Sequence, residues 1–315
     1  MPTSRRLLRY DNMVPLHIWI QAARLRTLPL AFAVIALGTG LAYKINDYVH
    51  WGIFALAVFT AGAYQILSNY ANDLGDGLRG TDDHRTGEKR AIASGLITAD
   101  QMKRAVNLWT VLALFSGGGL SFLAFQERIP LLVLFSLLNI AAVLAAKSYT
   151  MGPKPYAYWG GGDFFVFLFF GLVGVLGSAS LYGSLHWSFL FPALVAGAYS
   201  AAVLTLNNLR DIETDAVAGK RTLVVRFGYQ WGRGYFKALL IIGNVLSLFF
   251  ALYWAALDGN QFLLIFHIAY GVVLSRVVFI RFARARDSLA LDALLKPMAL
   301  MTLVYCLGTA LALNF

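Results

Sequence analysis

The chain has 315 residues, of which 59% are hydrophobic and 13% charged, against roughly 25% charged for an ordinary soluble domain. That composition excludes a soluble globular enzyme and identifies a membrane protein. The formal net charge of +10 needs no nucleic-acid partner to explain it, because the basic residues are distributed as they are around membrane spans.

The segment MPTSRRLLRYDNMVPLHIW lacks a short apolar stretch ending in a small-residue cleavage site, so no removable signal peptide is read; residues 1–17 are expected to be a cytoplasmic N-terminal segment of a single integral-membrane domain, 1–315. Nine apolar runs follow, each long enough to cross roughly 30 Å of hydrocarbon. They centre on Leu28–Tyr43, Trp51–Leu67, Ala105–Phe125, Ile129–Ala146, Phe164–Tyr182, Trp187–Leu206, Phe236–Leu257, Phe262–Ile280 and Pro297–Leu313. With the N-terminus inside, only Lys44 and Arg128 of 26 Lys and Arg fall outside. The rule that cytoplasmic loops retain basic residues therefore sets the topology, with the N-terminus on the cytoplasmic side.

Arg24 and Arg26 precede the first span, where positive-inside anchoring and binding of an anionic substrate are equally good readings. Span two runs directly into SNYANDLGDGLRGTDDHRTGEKRAIASG. There Asn69, Asn72, Asp73 and Asp76 recur at i, i+3, i+4 and i+7, which puts them on one helical face. The loop after span four, KSYTMGPKPYAYWGGGD, is fixed by Pro153 and Pro155, and its rings Tyr149, Tyr156, Tyr158 and Trp159 read as an interfacial aromatic belt. Span six ends in LTLNNLRDIETDAVAGKRTLVVRFG, where Asn208, Asp211 and Asp215 repeat the shared face. Asp73 and Asp211 lie 138 residues apart, each after the second span of a set of four, so a pseudo-repeat of four helices plus four with a ninth appended is expected. The last loop, RFARARDSLALDALLK, reads as surface anchoring.

Carboxylates crowded on one face repel unless a cation sits among them. Such acids at the inner membrane surface could relay protons or ions, bind metal with phosphate, or pair structurally. A transporter places its ionisable groups nearer the bilayer midplane, whereas these spans are nearly free of charge. Metal with phosphate fits better, since Mg²⁺ takes one or two carboxylates together with phosphate oxygens. Arg79, Arg85, Lys89, Arg90, Lys220 and Arg221 add positive charge for a diphosphate. No GxxxxGK[ST] loop or Gly-x-Ser-x-Gly elbow is present, the five histidines show no ligand spacing, and Cys306 stands alone. A diphosphate whose other end lies in a membrane points to a polyprenyl diphosphate, with apolar and aromatic walls to control an allylic cation.

These motifs resemble the UbiA superfamily of intramembrane aromatic prenyltransferases. The likeness extends over ARLRTLPLAFA, ILSNYANDLGDGLRGTD, YTMGPKPYAYWGGGD and LNNLRDIETDAVAGKRTLVVRFG, and the Gly-Pro-Lys-Pro and Asn-Asn-Leu-Arg-Asp-Ile runs point to its naphthoate branch. The resemblance implies an all-α bundle of nine transmembrane helices with a cytoplasmic cap over a central chamber. It implies Mg²⁺-dependent transfer of a polyprenyl group from its diphosphate to 1,4-dihydroxy-2-naphthoate, with loss of diphosphate and carbon dioxide. Asp73, Asp76, Asp82, Asp211 and Asp215 are the implied metal ligands, and Asp73, Asp76, Asp211 and Asp215 the catalytic acids. Asn69, Asn72, Arg90, Asn208, Lys220 and Arg24 are the implied substrate contacts, with Lys154 positioning the aromatic acid. The partners are then the two substrates and membrane lipid, with no nucleic acid and no obligatory protein. Alternatives are transfer to homogentisate or 4-hydroxybenzoate, a phytyl donor, or a transporter.

Overall fold

The computed structural model describes residues 14–81, 90–183 and 185–315. Among these the chain is helical without strands, and nine helices are long and apolar enough to cross a membrane. A short α1 (Leu16–Ala22) precedes the spans α2 (Leu28–Asn46), α3 (Trp51–Leu78), α4 (Ala99–Phe125), α5 (Ile129–Ser148), α6 (Gly162–Ser180) and α7 (Trp187–Arg210). Two short helices, α8 (Ile212–Val217) and α9 (Leu223–Phe227), lead into the spans α10 (Tyr229–Asp258), α11 (Gln261–Arg284) and α12 (Ser288–Ala312).

The helix starts are set by local chemistry. His50 accepts the Ile53 N–H through Nδ1 at 3.2 Å, Thr98 and Gln101 form a reciprocal capping box on α4, and Asp287 accepts from Ala290 at the start of α12. Prolines stand in the first turns of α2 and α5, where a missing N–H costs nothing. Several helices overrun their apolar cores at the end bearing the acidic motifs. α3 continues to Leu78 and α10 begins at Tyr229, because the polar residues there keep helical spacing and find partners in the cap. Pro297, expected to open the last span, lies inside α12.

The two sets of four correspond in their packing. α3 packs on α4 as α7 packs on α10, and α12 closes the ring between α2 and α7. The largest core lies around α7, which contributes Tyr199, Leu206 and Leu209 fully buried beside Phe236, Phe250 and Tyr305. In hydrocarbon such contacts rest on close backbone approach rather than on the hydrophobic effect. Gly171 of α6 and Gly197 of α7 face one another: a Cβ on either would lie 2.7 Å from a backbone carbonyl of the other helix. The middle of α6, Phe167–Leu176, is wound as π-helix, which turns Phe169, Phe170 and Val173 toward the interior.

The interior side of α2 to α7 encloses a chamber of about 370 Å³. It runs from Asn69, Asn72, Tyr149 and Asn207 at the acidic end to Ile35, Ala57 and Leu181 toward the far end. Gly197→Val should strain the α6–α7 contact by at least roughly 2 kcal/mol. A lowered thermal unfolding midpoint in detergent is the expected result, and an unchanged midpoint would show that the glycine contact is not tight.

Candidate active site

The polar end of α3 carries the expected face, yet its four residues do different things. Asn69 is buried and donates through Nδ2 to the Ala23 carbonyl at 2.8 Å and to Thr27 Oγ1 at 3.2 Å. It clamps the turn before α2. Thr27 Oγ1 in turn donates to the Arg24 carbonyl at 2.9 Å, and Arg24 adopts a left-handed backbone with φ of 51°. A non-glycine residue held there is locally strained, and the clamp supplies the constraint that keeps it. The result is a guanidinium aimed into the site. With its amide oriented by its neighbours, Asn72 accepts from Arg24 Nη1 at 3.3 Å and donates to Asp76 Oδ2 at 2.8 Å.

Asp73 and Asp76 are each 2% exposed. Asp73 accepts the backbone N–H groups of Ala91, at 3.1 Å, and Ile92, at 3.3 Å, so it folds the segment after α3 back over the bundle and brings the Arg90 charge near. Asp76 meets the second motif. Tyr158 donates its hydroxyl to Asp76 Oδ1 at 2.9 Å, and Lys220 Nζ donates to Oδ2 at 3.4 Å. The same ammonium lies 4.0 Å from Asp215 Oδ1. Lys220 therefore bridges the two acidic stretches. Burial pulls its pKa down, but the carboxylates of Asp76 and Asp215 outweigh burial and hold the ammonium protonated well beyond the usual lysine range. Burial, with the charge of Asp76, pushes the Tyr158 phenol up to about 12, so it remains a donor at neutral pH.

At the end of α7, Asp211 is gripped through both oxygens by Arg210, Nε and Nη2 each at 2.7 Å. Arg210 Nη1 also donates to Asp292 of α12 at 2.5 Å. The helix then bends, and Asp215 follows on α8, 7% exposed, its carbonyl accepting the Lys220 N–H at 2.8 Å. That turn is what carries Lys220 back to the acids. Asn208 is buried at the same end, whereas its neighbour Asn207 lines the chamber.

The Pro-Lys-Pro loop closes the arrangement. Arg79 donates to the carbonyls of Thr150 and Gly152 and lies over the Tyr158 ring, 5.1 Å from its centre. Thr81 Oγ1 shares a 2.6 Å hydrogen bond with the Tyr158 hydroxyl. Tyr149 lines the chamber and lies among the charges of Lys220, Asp76, Asp215 and Asp163, and burial raises its pKa. Of the four rings read as an aromatic belt, Trp159 alone is exposed; Tyr149, Tyr156 and Tyr158 turn inward because the loop folds back, with Ala157 donating to the Tyr149 carbonyl at 3.0 Å. Lys154 is exposed on this loop and does not line the chamber. Asp82, with Arg85 and Lys89, lies outside the described residues. The last loop does more than anchor the chain at the surface, since Asp292 at its end holds Arg210. No spacing in the sequence links Arg210 to Asp292, whereas Tyr158 could have been picked out by its place beside the Pro-Lys-Pro run.

Among the described residues, no three Asp, Glu, His or Cys side chains converge as a ready metal site. The donor set nonetheless fits Mg²⁺ bound together with phosphate: the Asp76 and Asp215 carboxylates, which both face Lys220, and the Asn72 amide beside them would hold it, with phosphate oxygens and water as its remaining ligands. Arg24, Arg90 and Lys220 supply the balancing charge. Directly beneath lies the chamber, walled by Phe165, Phe169 and Tyr156, with Tyr64 donating to Asn139 Oδ1 at 2.6 Å deeper within. Such a site can hold a charged phosphate at the polar end of an apolar tail and keep water from the junction.

Removing Arg210 leaves Asp211 buried without its bidentate partner. Arg210→Met is expected to cost about 3–5 kcal/mol in stability, much of it recovered by Arg210→Met with Asp211→Leu. Thermal unfolding of both variants checks this.

The UbiA prenyltransferase family matches residues 30–310. The 1,4-dihydroxy-2-naphthoate octaprenyltransferase of Haemophilus influenzae is 42% identical over 239 residues, 75% of this chain and 77% of that relative. The protein of the same name from Mycobacterium tuberculosis is 42% identical over 73% of this chain and 76% of its own length. In fold, the chain is similar to a UbiA homolog from Archaeoglobus fulgidus solved with DMAPP and Mg²⁺, with a TM-score of 0.67 and 16% identity over 94% of this chain and 98% of that one. The chain belongs to the UbiA prenyltransferase family.

Proposed function

We propose that this protein transfers a polyprenyl group from a polyprenyl diphosphate to 1,4-dihydroxy-2-naphthoate. The observation that carries this reading is the 42% identity to naphthoate prenyltransferases over three quarters of the chain, coupled with two buried acidic motifs meeting at the mouth of a long apolar chamber. The whole chain acts as one integral-membrane domain, with the acidic end at the cytoplasmic face of the bacterial inner membrane.

Asp76 and Asp215, with Asp73 and Asp211, would hold Mg²⁺, and Asp82, outside the described residues, is assigned to the same role by its place in the motif. When bound, the ion neutralises the diphosphate and makes it a better leaving group. Arg24, Arg90 and Lys220 bind the remaining phosphate charge, and Asn69 keeps Arg24 aimed at it. Tyr149 stands where diphosphate and chamber meet, close to the bond that breaks. The chamber holds the prenyl chain and excludes water, while the faces of Tyr156, Phe165 and Phe169 stabilise positive charge on the allylic carbon. The naphthoate carbon bearing the carboxylate forms the new C–C bond as the allylic C–O bond breaks. The ring–carboxylate bond then releases carbon dioxide and returns its electron pair to the ring. The product is demethylmenaquinone in its dihydroxy form. Lys154, exposed on the adjoining loop, draws the aromatic acid toward the entrance.

In membranes supplied with carboxylate-labelled 1,4-dihydroxy-2-naphthoate, a polyprenyl diphosphate and Mg²⁺, labelled carbon dioxide should appear, and EDTA should abolish it. Prenylation of another acceptor without that release would move the acceptor to homogentisate or 4-hydroxybenzoate. Asp76→Ala and Asp215→Ala should each reduce turnover by at least about a thousandfold in folded protein, the scale of losing charge stabilisation at a reacting centre; retained turnover would remove the metal assignment. Lys154→Ala should raise KM for the aromatic acid with kcat little changed, and an unchanged KM would end its role.

A further inference from the structure

Along α3 the chamber is lined by uncharged polar side chains that the acidic site does not use. Gln65, Ser68 and Asn72 follow one another at i, i+3 and i+7 and all line the chamber, so they form one ridge on the inner face of the helix. Asn72 is engaged by Arg24 and Asp76. Gln65 and Ser68 are half-buried and have no contact with either acid pair.

The hydrogen bonds around Gln65 fix which end of its amide is left over. Thr27 Oγ1 gives its proton to the Arg24 carbonyl at 2.9 Å, so it can only accept from Gln65 Nε2, 3.2 Å away. The Asn69 nitrogen donates to the Ala23 carbonyl, so Asn69 Oδ1 is an acceptor as well, and it faces the same Nε2 at 3.5 Å. The Gln65 nitrogen is thus committed to the turn before α2, and its Oε1 accepts nothing among the described residues. Ser68 Oγ also makes no hydrogen bond among the described residues; it does not bond back to the preceding turn, as Thr60 Oγ1 does on the same helix at 2.8 Å. Both oxygens keep accessible surface in the chamber, unlike Ser200 Oγ, which belongs to the lining yet is sealed off.

Their separation is set by the helix. Residues three apart on one face have Cβ atoms about 5–6 Å from one another, and the approach of the Gln65 amide to Asn69 brings its head to the turn that carries Ser68. Ser68 is one turn, about 6 Å, below Asn72, which touches Asp76. A ring that attacks the first carbon of a prenyl diphosphate held at the acids lies at this level.

The chemistry of the two oxygens selects among the molecules that enter the chamber. Gln65 Oε1 can only accept a hydrogen bond. A diphosphate ionised at neutral pH brings further acceptors, and a prenyl chain brings no polar atom. In 1,4-dihydroxy-2-naphthoate the hydroxyl beside the carboxylate is hydrogen-bonded to it within the molecule. The hydroxyl on the far side of the ring has no internal partner and carries a proton into the chamber. Uncharged acceptors take that proton without repelling the carboxylate.

We infer that Gln65 Oε1 and Ser68 Oγ receive the C4 hydroxyl of the aromatic substrate and so set the preference for a ring that bears it. The inference rests on the proposed function and adds the residues that choose the acceptor.

The test measures prenyl transfer by the full chain in membranes, with Mg²⁺ and saturating polyprenyl diphosphate, to 1,4-dihydroxy-2-naphthoate and to its 4-methyl ether. The ether keeps the hydroxyl next to the reacting carbon but cannot donate from C4. The parent should favour the diol by about tenfold in kcat/KM, the scale of one hydrogen bond. Ser68→Ala and Gln65→Met should each lower kcat/KM for the diol about tenfold, mostly through KM, and leave the ether nearly unchanged, while Ser68→Thr keeps the preference. A merely structural role would lower both acceptors together, and that result overturns the inference. So does a diol preference that survives both variants, or one lost only in Asn207→Leu, which would move the contact to the other uncharged amide of the lining. Gln65→Met also loosens the Thr27 turn; Ser68→Ala breaks no protein hydrogen bond and stays decisive if the first variant fails to fold. Absence of transfer from the parent to either naphthoate would sink the proposed function and this inference together, whereas transfer with variant-insensitive preference would overturn the subsite alone.

Discussion

Lys220 sits between Asp76 and Asp215 with only 12% of its side chain exposed, and the polar end of the molecule is organised around that ammonium. Two buried carboxylates from opposite halves of the bundle would repel one another without it. The bridge joins α3 to the turn after α8 and holds Tyr158 beside both. The ammonium occupies the place between the acids and keeps a positive charge buried at the mouth of the chamber. The charges are set before any substrate binds, and little rearrangement is left for the reaction step.

The supports around this bridge are made of backbone rather than of further charges. Asp73 holds two N–H groups of the segment after α3, Arg79 holds carbonyls of the Pro-Lys-Pro loop, and Asn69 holds the turn that carries Arg24. Polar side chains that anchor backbone in this way remove freedom from loops that would otherwise move. One consequence is that residues of a single motif divide the labour. Asp76 faces the second acidic stretch, while Asp73, three residues earlier, secures the cap. Below them the chamber is mostly apolar, with Gln65 and the Tyr64–Asn139 pair among its polar lining.

The bundle achieves this with a repeated plan. The second helix of each half ends in acids and packs on the third, and α12 seals the halves together. Small residues make the contacts possible where α6 crosses α7, and again where Gly271 of α11 meets Asn244 of α10.

Span number and the shared face of Asn69, Asn72, Asp73 and Asp76 were determined by the sequence alone, because apolar run length and helical periodicity are local properties of the chain; the single face expected for Asn208, Asp211 and Asp215 is broken, since α7 ends at Arg210 and Asp215 lies on α8. The pairing of halves was legible from the recurrence of acids after spans two and six. Only the tertiary structure decided that Lys220 stands between Asp76 and Asp215, that Arg210 reaches Asp292, that Tyr149 and Tyr158 turn inward while Lys154 stays outside, and that Asn207 rather than Asn208 lines the chamber. Two of these depend on a backbone reversal, Lys220 on the bend after α7 and the Tyr149, Tyr158 and Lys154 side chains on the folded loop after α5, while Arg210 and Asn207 lie within α7 and meet what the packing of neighbouring helices brings to them. A reversal places side chains by the packing of distant helices against it, and no spacing along one segment records that.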